Sequence, residues 1–124
     1  MKDMEKHGVA TFSWQENLLV IKVYGPFNEE GIESAFEQAR QCVINRQAQR
    51  WNRLEILDNE TLGSPAVVNR VKDLYAWFEE NGCEHAAVVV SNCVQIYVIE
   101  ELLQGQVKIF HDPDAAKKWL SEQS

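Results

Sequence analysis

Residues 85 to 92 read H-A-A-V-V-V-S-N, and the fold turns on how this stretch is read. An apolar run this short and without alternation suits a strand covered on both faces, as in the middle of a parallel sheet, whereas a strand with one face in water would alternate. Ser91 or Asn92 then offers an N-cap for a helix holding Tyr97, Val98, Leu102 and Leu103, with a stop expected at Gly105. A buried strand passing at once into a helix is half of a parallel crossover unit, so its neighbours in sequence should be strand and helix pairs as well.

They are. Upstream, a strand over 53–57 ends at Asp58, and after the loop D-N-E-T-L-G-S-P (58 to 65) a long helix carries Val67 or Val68, Val71, Leu74, Tyr75 and Phe78 at helical spacing until Asn81-Gly82 stops it. Further back, residues 8–24 hold two strand-like runs around Gln15-Glu16-Asn17, a hairpin signature. Gly25-Pro26 breaks the second run and Asn28 caps a helix whose first turn holds Glu29 and Glu30. Ile32, Phe36, Ala39 and Val43 share one face of that helix. Downstream, V-K-I-F (107 to 110) makes a last short strand; Asp112 caps a final helix with Pro113 in its first position and Trp119 and Leu120 as anchors. The expected fold class is α/β: a single mixed, mostly parallel sheet of four or five strands with an N-terminal β-hairpin and four helices, in one domain spanning 1–124.

Composition narrows the function. A chain of 124 residues with 45% hydrophobic and 25% charged residues can bury a core of its own, and it contains no apolar run long enough to cross a bilayer. The opening M-K-D-M-E-K-H-G lacks the apolar stretch of a secretory signal, so a cytoplasmic location is expected, with Cys42, Cys83 and Cys93 as thiols. A formal charge of -7 opposes binding to nucleic acid or an anionic lipid surface. Arg46, Arg50 and Arg53 read as cations at a helix C-terminus, where they complement the dipole.

In a sheet of this kind the loops at the C-terminal ends of the parallel strands converge, which brings 58–64, 91–93 and 111–114 to one edge. The binding or switch candidates there are Asp58, Asn59, Thr61, Ser64, Ser91 and Asn92. Asp58 could serve as a general base, but an acid closing a buried strand more often accepts neighbouring backbone N–H groups. His111 could pair with Ser64, Ser91 or Cys93, yet no G-x-S-x-G elbow surrounds either serine, and a small hydrolase is the weakest reading. Cys83, His85, Cys93 and His111 lack metal-ligand spacing, and Gly25, Gly31 and Gly63 stand alone rather than in a phosphate loop. No metal site is expected. Among Trp14, Trp51, Trp77 and Trp119, Trp77 lies one position off the Leu74 and Phe78 face, which suits partial exposure at an interface or pocket rim.

The opening hairpin, L-E-I-L followed by a polar loop and long helix, A-A-V-V-V followed by S-N, and the closing F-H-D-P-D-A-A-K-K-W-L together resemble the SpoIIAA-like small bacterial proteins, relatives of the STAS domains of anti-sigma-factor antagonists. The resemblance spans essentially the whole chain. It implies no cofactor and a non-enzymatic regulatory role through a protein partner. In those antagonists a serine in a D-S-S-G-L-G-like motif starts the helix after the third strand and is phosphorylated. Here D-N-E-T-L-G-S-P keeps an acid, a hydroxyl, a glycine and a helix start but loses the adjacent serines, which argues for Ser64 as a helix cap rather than a switch.

Two functions follow. One is a protein-interaction module docking through this edge, for which a flat apolar patch beside Ser64 would speak. The other is a binder of a small apolar or amphipathic ligand, for which a pocket lined by Tyr75, Phe78, Tyr97 and Trp119 would speak. An exposed tryptophan or apolar helix face would also suit a C2 homodimer.

Overall fold

A computed structural model describes residues 5–103 and 107–123. The elements run β1 (Val9–Gln15), β2 (Leu18–Tyr24), α1 (Glu29–Arg46), β3 (Trp51–Leu57), α2 (Pro65–Glu80), β4 (Cys83–Val89), α3 (Cys93–Leu102), β5 (Lys108–Phe110) and α4 (Pro113–Ser121). They form one five-stranded sheet in the order β1-β2-β3-β4-β5, with β1 and β2 antiparallel and every other pair parallel. The expected mixed sheet with a leading hairpin and four helices is therefore the fold. The expected helix stop at Gly105 lies outside the described residues.

Because strand order follows chain order, each right-handed crossover steps the same way across the sheet, and α1, α2 and α3 all land on one face. Among the described residues α4 follows the last strand and closes the opposite face. Two cores result. The larger gathers Leu19, Ile21, Val23, Trp51, Phe78, Val88 and Val90 under the three crossover helices, and the smaller packs Ala116 and Leu120 of α4 onto Val20, Leu54, Ala87 and Val89. The run quoted at the outset is the hinge of this design: Ala87 and Val89 face α4, Ala86 and Val88 face the other layer, and all are buried.

Each helix is started by a residue expected to cap it, and for α3 it is Asn92 rather than Ser91. Asn28, Ser64, Asn92 and Asp112 accept the N–H groups of Gly31, Val67, Gln95 and Ala115 at 2.8, 3.3, 3.0 and 3.0 Å. At the far end of α2, Gly82 has φ +105, and a Cβ there would lie 2.3 Å from the Gln49 carbonyl oxygen, so only glycine lets β4 begin beside that chain.

One expectation is corrected. Arg53 does not sit at a helix end, because α1 stops at Arg46 and β3 begins at Trp51. Only Arg46 keeps a place in the last helical turn, where it donates to the Glu16 carbonyl and lies over the Trp14 ring. Arg50 pairs with Glu84 on the surface. Arg53 is 1% exposed in the middle of the sheet.

Candidate functional site

The polar groups at the start of loop 58–64 are spent on the loop itself and on the turn after β2. The Asp58 carboxylate accepts the N–H of Gly25 at 3.0 and 3.1 Å and that of Glu60 at 3.1 Å, and the Thr61 hydroxyl donates to it at 2.7 Å. The Thr61 hydrogen bond does most to hold the Asp58 carboxyl below the usual carboxylate range, with burial opposing and the backbone N–H groups of Gly25 and Glu60 assisting. Asp58 is thus a latch joining the end of β3 to the turn after β2, a neighbour the sequence did not reveal. Phe27 extends the join by donating its N–H to the Leu62 carbonyl at 2.8 Å.

The loop after β4 is tied to it from the other side. Gln95, 3% exposed, accepts the Ser91 N–H at 2.8 Å and donates both amide hydrogens, to the carbonyls of Asp58 at 2.7 Å and Thr61 at 3.1 Å. The Ser91 hydroxyl donates to the Leu57 carbonyl, and the Asn92 amide reaches the carbonyl and side-chain oxygens of Asn59. The structure therefore brings Asp58, Asn59, Thr61, Ser91 and Asn92 together, with Ser64 at the far end of the same loop. His111 is exposed and makes no hydrogen bond with Ser64 or Ser91. Cys93 is exposed, Cys83 is buried and Cys42 lies between; burial pushes the Cys83 thiol up to about 11. Among the described residues no three His, Cys, Asp or Glu side chains are placed to share a metal ion.

Behind this edge lies a cavity of about 300 Å³. The first half of α2 (Val67, Val68, Val71) and α3 (Val94, Val98, Ile99) roof it, Phe12, Ile21 and Val23 of the hairpin floor it, and Ile32 and Ala35 of α1 close one side. Leu62 and Val94 line it while remaining 45% and 52% exposed, so it opens between loop 58–64 and the start of α3. Gly63 keeps that rim narrow: a Cβ there would stand 2.5 Å from Val67 Cγ1.

The four aromatics expected around a pocket do not share one. Tyr75 alone lines the cavity. Phe78 is fully buried beyond it, edge-on to Trp51; Tyr97 is 63% exposed on the outer side of α3; Trp119 packs on the opposite face of the sheet beside His85 and Phe110. Helical spacing placed Tyr97 and Trp119 on apolar faces, but the topology decides which face of the sheet each helix meets.

The polar group beneath the cavity, of which Glu55 and Tyr75 reach the lining, was not expected from the sequence. Arg53 and Glu55, two residues apart on β3, point to the same side of the sheet, with Arg53 Nε 3.2 Å from Glu55 Oε1. Tyr75 donates its hydroxyl to Glu55 Oε2 at 2.7 Å. Burial, with the Glu55 charge adding to it, drives the Tyr75 phenol well above its ordinary range, so it stays a donor. The guanidinium lies 4.2 and 4.5 Å from the ring centres of Tyr75 and Phe78, and neither its Nε nor its Nη1 has a hydrogen-bond partner among the described residues. R-x-E inside an otherwise apolar strand was the available signal, since a period of two must bury both charges or neither.

No protein-family model matches the sequence, and no curated protein does. Solved structures do match in three dimensions. A protein from Shewanella loihica PV-4, described as an uncharacterized member of the DUF3478 family with a SpoIIAA-like fold, superposes with a TM-score of 0.65 at 16% identity, covering 97% of this chain and 98% of that one. The anti-sigma factor antagonist SpoIIAA in its unphosphorylated form gives 0.58 at 6% identity, covering 94% and 100%. The Bacillus cell fate determinant SpoIIAA in its phosphorylated form gives 0.53 at 13% identity, covering 90% and 99%. The fold of this chain is SpoIIAA-like, and among the described residues no helix is long and apolar enough to cross a membrane.

Proposed function

We propose that the chain is a non-enzymatic, SpoIIAA-like interaction module that docks a protein partner through loop 58–64 and the outer face of α3. The observation that carries this reading is the exposure of four large apolar side chains on these two elements, Leu62, Val94, Tyr97 and Leu102, at 45%, 52%, 63% and 44%. Seven of the ten residues of α3, CVQIYVIEEL, are apolar, and only Gln95 and Ile99 are buried. Glu60, Glu100 and Glu101 are exposed on the same elements, so the complementary surface is apolar with a basic rim. The likeness to an anti-sigma factor antagonist supports a regulatory role. Ser64 acts here as the cap of α2, and phosphoregulation is not part of the reading. The inward hydrogen bonds of Asp58, Thr61 and Ser91 support a role without chemistry, since each group is occupied in holding the edge together.

A photocrosslinking side chain at position 97, compared with one at Lys117 on α4, tests the reading in the native host. A single adduct from position 97 that is absent from 117 and lost on Val94→Lys is the expected result. An adduct of twice the chain mass would make the partner a second copy, and no adduct from 97 would sink the reading.

The cavity favours a second reading, a binder of a small apolar or amphipathic ligand whose occupancy would alter the same rim. Native mass spectrometry of protein purified gently from its host should then show a mass increment that disappears on denaturation.

A further inference from the structure

The side chains lining the cavity have a one-sided hydrogen-bonding capacity. Four of them are polar: Glu55, Thr61, Tyr75 and Gln95. Every donor hydrogen they carry is committed. Tyr75 gives its hydrogen to Glu55, Thr61 gives its own to Asp58, and Gln95 gives both to the carbonyls of Asp58 and Thr61. What remains are acceptor lone pairs, on the Glu55 carboxylate and on the Tyr75 and Thr61 oxygens. Charge adds a second restriction. The Glu55 carboxylate already faces the Arg53 guanidinium, and Arg53 is not itself part of the lining. The cavity therefore meets a neutral pair, and a charged head buried there would find no counter-ion of its own.

We propose, resting on the ligand-binding reading above, that the cavity selects a neutral amphipathic molecule with a hydrocarbon body and a hydrogen-bond donor head, a hydroxyl or primary amide, seated against Glu55. A carboxylate would present acceptors to acceptors, and an ammonium would carry an uncompensated charge into the apolar layer. The volume suits a body on the order of ten heavy atoms, at the ~30 Å³ that each water-sized group fills in a liquid.

The test is a methyl NMR titration of the intact protein that follows Val67, Val71 and Val98, using decanol, methyl decanoate, decanoate and decylammonium, each below its micellar concentration. Decanol should shift these methyls and bind about tenfold or more tightly than the other three, the cost of one unmade hydrogen bond or one unpaired charge. Glu55→Gln places an amide donor at the floor and should narrow the preference over decanoate. Tyr75→Phe leaves the carboxylate freer to accept and should keep the preference. Equal binding of all four probes would overturn the selectivity while leaving the cavity a ligand site, and tighter binding of decanoate would overturn it in favour of an anion site served by Arg53. Failure of all four to move the valine methyls would overturn the ligand-binding reading itself.

Discussion

The two faces of the sheet are built from the same strands and to opposite ends. On the α4 face, Leu54 and Ala87 meet Ala116 and Leu120 in an apolar layer. On the other, all three buried polar residues of the described chain, Arg53, Glu55 and Gln95, stand among apolar neighbours beside a cavity. Leu54 lies between Arg53 and Glu55, so one strand serves both designs by alternation. The difference teaches where to look for function: a face packed for stability alone has no use for a desolvated ion pair, which is at best a weak source of stability.

The most damaging way to break the comparison is to remove one charge. Glu55→Leu leaves Arg53 buried without its carboxylate and Tyr75 without its acceptor, and should cost about 3–5 kcal/mol in urea unfolding. Replacing the whole group, Arg53→Met with Glu55→Leu and Tyr75→Phe, should return stability to within about 1 kcal/mol of the native chain, because the desolvation cost leaves with the charges. A triple variant as unstable as the single one would mean that the group holds the fold rather than the site.

Enlarging a side chain separates the faces next. Ala116→Leu has no room under α4 and should destabilise by about 1–3 kcal/mol. Val71→Leu grows into the cavity and should stabilise by about 0.5–2 kcal/mol while weakening binding of any occupant. Thermal melts of the two variants should move in opposite directions.

What could be read from sequence divides along a related line. The caps Asn28, Ser64, Asn92 and Asp112 were legible because a cap is a local contract between a side chain and an N–H two or three residues on. The run at 85–90 was legible because no alternation survives burial on both faces. Arg53 drew two readings, first residue of the strand over 53–57 and cation at a helix end, and the start of β3 at Trp51 decides for the strand. Tyr97 and Trp119 were expected in one pocket because spacing fixes a helix face but not the layer that the helix joins. Gln95 had no local signal, since the two carbonyls that it donates to, of Asp58 and Thr61, lie 37 and 34 residues away in sequence.

At the shared edge the expected effects are smaller. The Asp58 carboxyl has a folded value below its ordinary one, so the stability it contributes is complete above the unfolded pKa of about 3.9 and is lost as pH falls through the lower folded value. Asp58→Asn should cost about 1–2 kcal/mol near neutrality by weakening charge-assisted bonds to Gly25, Glu60 and Thr61. The gap in melting temperature between variant and native chain should then close below about pH 4. A gap that stays constant with pH would mean that the latch works through shape rather than charge.

The smallest test compares how the helices of the two faces begin. α2 and α4 both carry proline in the first turn, but Ser64 holds the Val67 N–H at 3.3 Å with a neutral hydroxyl, whereas Asp112 holds the Ala115 N–H at 3.0 Å with a carboxylate. Asp112→Ala should therefore cost about 1–2 kcal/mol and Ser64→Ala no more than about 1 kcal/mol, measured by chemical denaturation. The order matters more than the size. A weak cap on the helix that roofs the cavity lets the rim at Leu62, Gly63 and Ser64 rearrange for little energy, while α4 keeps the far face closed. If Ser64→Ala proves the costlier change, the start of α2 is as firmly built as that of α4, and the mobile rim that docking or ligand entry would use has to be sought in α3 instead.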